Sequence, residues 1–115
     1  MTHVAAQTLC RDNGGRLYEP MSIDADYTAV ISSLKDAISD NAEVWIGIED
    51  TSDDNTANDW IFSSSGVAVT SVNWREGNNQ QPANGNGRCV YLKANNENWF
   101  NDECNADTRN FICEF

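Results

Sequence analysis

The sequence predicts an α+β fold, and three observations carry that reading. Helix-like periodicity is confined to the chain before Glu43. Short strand-like runs separated by irregular polar chain fill the rest, and four cysteines are available to tie the parts together.

Residues 2–13 read as a short helix. Thr2 can cap it, Val4, Ala5, Thr8 and Leu9 recur at helical spacing, and Gly14-Gly15 stops it. The second helix is marked more clearly. Ser22 can be its N-cap, Asp24 and Asp26 sit in the first turn, and Lys35 sits near the end, as the helix dipole favours. Tyr27, Val30, Ile31, Leu34 and Ile38 form one apolar stripe along it.

From Glu43 the period changes. EVWIGI (43–48) reads as a strand, the acidic run 49–59 follows, and WIF (60–62) comes next. VAVTSVNW (67–74) reads as another strand and leads into a long loop, 75–87. RCVYLKA (88–94), NWFND (98–102) and NFICEF (110–115) complete the short β segments. A compact domain keeps as much irregular chain as 75–87 only when a disulfide, an ion or a ligand ties it down.

At 115 residues the chain fits a single domain, 1–115, with one core. Eighteen acidic and seven basic residues leave a net charge of −11. That balance argues against nucleic-acid or anionic-membrane partners, which need a basic face. The acidity serves solubility unless carboxylates from separate segments converge on a cation. No apolar run approaches the ~20 residues of a membrane span. MTHVAAQTLC shows neither the basic nor the apolar region of a signal peptide, which leaves a cytoplasmic or an already mature chain.

The cysteines favour the second. Cys10, Cys89, Cys104 and Cys113 include no C-x-x-C pair, and His3 is the only histidine, so zinc-site spacings are missing. Two disulfides in an oxidising compartment are the better reading. Spacing leaves three pairings open. If Cys10 joins Cys113, closing nearly the whole chain contributes about 4–5 kcal/mol in the chain-entropy model, and Cys89–Cys104 about 3 kcal/mol.

Over nearly the whole length these segments resemble the C-type lectin-like domain. The likeness is carried by a helix ending in Cys10 followed by GGRL, by VWIGI, and by VNW ahead of a long loop containing QP. RCVYL, NWFNDEC and the closing FICEF continue it. The resemblance implies two helices, small antiparallel sheets, a long irregular loop, and the pairings Cys10–Cys113 and Cys89–Cys104. Members usually carry a strand before the first helix. Here the chain starts at the helix, which leaves the edge of the terminal sheet open and favours a homodimer.

Sugar-binding members hold calcium in the long loop, and the ion wants six to eight oxygen ligands. The resemblance assigns that duty to the residue before the loop proline, the residue after it, an acid two before the loop cysteine, and an Asn-Asp pair after a Trp. Here Gln81 precedes Pro82 and offers an amide oxygen, but Ala83 follows it, and Asn84 substitutes only if the loop shifts. Gly87 stands two before Cys89, where an acid is expected. Asn101-Asp102 resembles the Asn-Asp pair but sits one residue late, with Phe100 in the Asn place. A second calcium site would draw on Asp50 and Asp54, with Arg88 opposing the ion or replacing it by an ion pair. The acidic run is a poor EF-hand, lacking the required Gly and Glu.

The family likeness therefore implies a secreted, carbohydrate-binding lectin of innate-recognition type. It would bind galactose-type or microbial surface glycans through Gln81, Asn84, Asn101 and Asp102. Calcium dependence is weak or altered, with Gln81, Asn101, Asp102, Asp50 and Asp54 as the candidate ligands. A calcium-independent module for a protein or other non-sugar ligand is the alternative, favoured by Ala83, Gly87 and Arg88. No nucleophile–base pair points to an enzyme. Turn chemistry explains Asn78, Asn79, Asn84 and Asn86 equally well, and Trp60, Trp74 and Trp99 suit core packing better than sugar stacking.

Overall fold

The computed structural model describes residues 1–50, 60–75, 87–105 and 108–115. Helix α1 runs His3–Asp12 and α2 runs Ala25–Ala37. The strands are β1 (Arg16–Leu17), β2 (Glu43–Asp50), β3 (Trp60–Phe62), β4 (Cys89–Lys93), β5 (Asn98–Asp102), β6 (Asn110–Phe111) and β7 (Cys113–Glu114). The larger sheet has the order β3-β2-β4-β5, with β6 pairing parallel to β2, and β1 and β7 form a two-stranded sheet. This is the expected α+β arrangement. Both disulfides form as the family likeness implied, Cys10–Cys113 and Cys89–Cys104.

The side chains of α1 point differently from the expectation. Thr2 caps it as foreseen, accepting from the Ala5 N–H, and Gly14 takes the left-handed conformation (φ 86°) just beyond its end. The buried face, however, is His3, Ala6 and Cys10, while Val4 and Leu9 are exposed. Positions i, i+3 and i+7 share one face, and the bond from Cys10 to Cys113 turns that face inward.

In α2 the cap is Asp24 rather than Ser22. Asp24 accepts from the Asp26 and Tyr27 N–H groups, and the Ser22 hydroxyl donates to its other oxygen at 2.6 Å. That hydroxyl first, and the backbone donors after it, hold the Asp24 carboxyl below the usual range. Tyr27, Ile31 and Leu34 are buried and Val30 packs beside them, whereas Ile38 ends the helix half exposed.

VAVTSVNW is not a strand. It makes single bridges, Ala68 to Ile61 and Trp74 to Trp99. β3 and β5 are opposite edges of the sheet, so a segment that leaves one and reaches the other cannot build a ladder with either. Its backbone is satisfied bond by bond instead: Val69 N–H to Trp60 O, Arg75 N–H to Trp99 O, and Trp99 N–H to Asn73 O. The closing FICEF likewise splits, β6 joining β2 and β7 joining β1.

Register then sorts the sheet into two faces, because paired residues of antiparallel strands share a face and successive residues alternate. Val44, Leu92 and Trp99 lie on one, with Val90 and Asn101. This face packs under α2 in a core that also holds Ile46, Ile48, Phe62 and Trp60. Trp99 is fully buried, donates to the Tyr27 hydroxyl at 3.1 Å, and meets Trp74 edge-on at 5.6 Å. The Tyr27 hydroxyl donates in turn to the carbonyl of Glu97, which adopts a left-handed conformation in the β4–β5 turn. Burial pushes the Tyr27 pKa up to about 12. The other face carries the cross-strand row Trp45, Tyr91 and Phe100.

Candidate functional site

β4 and β5 end together at the base of the long loop, with Cys89 opposite Asp102 and Val90 opposite Asn101. Alternation along β5 separates the two expected ligands. Asn101 follows the Trp99 face, and its amide donates to the Gly87 carbonyl at 2.8 Å. A Cβ at residue 87 would lie 2.6 Å from Asn101 Nδ2, so an acidic side chain there requires Asn101 to move. The place where an acid was expected is thus filled by the neighbouring amide.

Asp102 follows the opposite face and belongs to a different cluster. Its Oδ2 accepts from Arg109 Nη2 at 2.9 Å, and its Oδ1 accepts from the Glu103 N–H at 2.8 Å. Arg109 Nε donates to Glu43 Oε1 at 3.0 Å. The guanidinium lies 3.8 Å from the Tyr91 ring centre and 4.8 Å from that of Trp45, in cation–π geometry. The arginine side chain is only 11% exposed. Burial opposes its charge, yet the hydrogen bonds to Asp102 and Glu43 prevail and hold its pKa above the ordinary arginine range. Tyr91 stacks on Phe100 at 5.3 Å, and Arg75 sits 6.0 Å over Phe100 on the way into the long loop.

Asp50 ends β2 nearly buried, at 8% exposure, and its N–H donates to the Arg88 carbonyl at 2.8 Å. The structure therefore gathers Asp50, Gly87, Arg88 and Asn101 around the strand ends, with Asp102 turned to the far face. Gln81, Asn84 and Asp54, together with Pro82 and Ala83, lie outside the described residues. Among the described residues, no group of three or more His, Cys, Asp or Glu side chains is arranged to hold a metal ion. For calcium to use Asp102, the ion would have to displace Arg109, a cation already held by two carboxylates. At the end of β5 the expected ligands thus already have protein partners, Arg109 on Asp102 and the Gly87 carbonyl on the Asn101 amide.

The lectin C-type domain profile matches residues 1–115. The chain belongs to the C-type lectin domain family. Human tetranectin is 29% identical over 108 residues, which are 92% of this chain and 50% of that protein, so the chain spans about half the length of the curated relatives it matches. Human lithostathine is 30% identical, with a TM-score of 0.77 over 97% of this chain and 82% of that one. The C-type lectin CEL-I from Cucumaria echinata shares the fold with a TM-score of 0.81 at 20% identity, over 98% of this chain and 81% of that one.

Arg109 was not visible as a site residue. It lies between segments recognised only as strands, and no spacing rule links it to Glu43 or Asp102. Only the parallel pairing of β6 with β2 brings it there. Trp60, Trp74 and Trp99 pack against one another, at 5.0 Å for the first pair, as core residues do.

Proposed function

We propose that this domain binds carbohydrate through its long loop with weak dependence on calcium, as a binding module and not an enzyme. The single observation behind this reading is the division of labour at the end of β5. The Asp102 carboxylate is engaged by Arg109, while the Asn101 amide sits against Gly87 at the loop base. An amide-lined site recognises sugar hydroxyls by direct hydrogen bonds and does not need carboxylates around an ion. Gln81 and Asn84 are the partners proposed to join Asn101. Asp50 and Asp54 are the residual acids that would give calcium a weak hold. Family membership supports a sugar ligand without naming it, because one fold hosts many ligands. The two disulfides support secretion.

A glycan screen run in parallel in calcium and in chelator tests the proposal. Binding in both, weakened less than tenfold by chelator, is the expected result. Complete loss in chelator would contradict the calcium half. No glycan bound in either condition would favour the second reading, a calcium-independent module for a protein ligand. That reading draws on the same filled position at Gly87.

A further inference from the structure

Away from the long loop, a cleft of about 290 Å³ opens between α1, the start of β1 and the turn after β3. That volume lies at the lower limit of the range for small-ligand pockets. Gln7 and Arg11, one helical turn apart, form one wall, and Arg16 and Ser64 the other. A second hollow of about 370 Å³ adjoins it, sharing Gly15, Arg16 and Ser64. The two make one groove around the Arg16 side chain, which is 42% exposed.

The groove is built from buried polar groups. Glu19, its side chain 1% exposed, lies over Gly47, where a Cβ would come within 2.7 Å of Glu19 Cγ. Its carboxylate accepts from the Ser64 N–H at 2.9 Å and the Ser64 hydroxyl at 3.0 Å, and pairs with Arg16 Nη1 at 3.3 Å. The Ser63 hydroxyl, which also lines the cleft, is buried without a hydrogen-bond partner among the described residues. At the far end the Phe115 ring, 85% exposed, lies over the Gly15 backbone, where any Cβ would overlap it.

We propose that this groove is a second, calcium-independent saccharide site, taking a neutral hexose-like ring. Its chemistry matches such a ligand on both sides. Gln7, Arg11, Arg16 and Ser63 offer donors and acceptors to an edge of hydroxyls. The Phe115 ring offers an apolar surface to the C–H face of a pyranose. Charge decides against an anionic ligand. Arg11 and Arg16 are balanced by Glu19 and by Glu114, whose Oε1 accepts from Arg16 Nε at 2.8 Å. The local sum is zero, and the remaining net negative charge of the chain gives an anion no attraction. This site is independent of the long-loop reading and shares no residue with it.

Backbone amide shift mapping of the intact disulfide-bonded chain, in chelator, with methyl glycosides of glucose, galactose and mannose tests it. The expected result is saturable shifts at Gln7, Arg11, Arg16, Ser63 and Ser64 with at least one of the three. A Gln7→Ala/Arg11→Ala double variant, both changes on the helix surface, should weaken those shifts at least tenfold while keeping the wild-type melting temperature. Shifts confined to Gly87, Arg88 and Asn101 would place sugar at the long loop alone and overturn the groove site. Shifts at the groove with sulfated or uronic saccharides but with none of the neutral glycosides would overturn the assignment of ligand class. No groove shifts with any sugar would overturn the site itself.

Discussion

The two faces of the β4–β5 ladder use the same strands for opposite purposes. One buries Val90, Leu92 and Trp99 beneath α2, and its polar contacts are a few neutral hydrogen bonds ending at Tyr27 and Glu97. The other is a stack of rings threaded by charge, Trp45, Arg109, Tyr91 and Phe100, closed by Glu43 and Asp102. Neighbouring residues of β5 fall on different sides of this divide. A dipeptide that looks like a unit in the sequence, Asn101-Asp102, is two unrelated residues in the fold.

The largest effect should come from the apolar face. Trp99→Ala removes a fully buried ring and the indole donor to the Tyr27 hydroxyl, which should cost about 3–5 kcal/mol in denaturant unfolding. Arg109→Ala breaks the charged face and should cost less, about 2 kcal/mol. Its partners, Glu43 and Asp102, are 40% and 30% exposed and regain water when the arginine leaves. If the arginine variant proves the more damaging of the two, the outer face is as much a core as the inner one.

The smallest effect reads out the helix docked on the outer face. His3 is fully buried, its Nε2 2.8 Å from the Ile46 carbonyl, with its ring edge-on to Trp45 at 5.4 Å. Burial lowers its pKa, against the opposing pull of the Ile46 hydrogen bond and of Glu49. The unfolded chain then binds more protons than the folded one below the ordinary value of 6.5. This contribution to stability is complete above 6.5 and is lost as pH falls toward the lowered value. One such proton gives a slope of at most about 1.4 kcal/mol per pH unit. Urea unfolding between pH 7 and pH 5.5 should show a positive slope in the wild type and a flatter one in His3→Gln. Equal slopes would remove His3 from the account.

The helix α2 stripe and the β2, β4 and β5 cores were legible because period and propensity agree there. The rotation of α1 was not, since Val4 with Thr8 and Ala5 with Leu9 satisfy helical spacing as well as Ala6 with Cys10 does, and the bond to Cys113 chooses between the faces. VAVTSVNW misled because strand-like composition records a local propensity, whereas a strand also needs a partner along its length. The filled position at Gly87 was half legible. The missing acid shows in the sequence, but the Asn101 amide that occupies the space depends on the β4–β5 register.

The most direct test is a pair of thermal melts of the wild-type domain, one in chelator and one in millimolar calcium. Calcium at 100 times the dissociation constant of an intact site would add about 2.7 kcal/mol and raise the midpoint by roughly 10 °C for a domain of this size. With Asp102 held by Arg109 and Gly87 filled by Asn101, the two melts should agree within about 3 °C. A rise near 10 °C would show that the loop assembles a calcium site in spite of both, and would contradict the weak-calcium account.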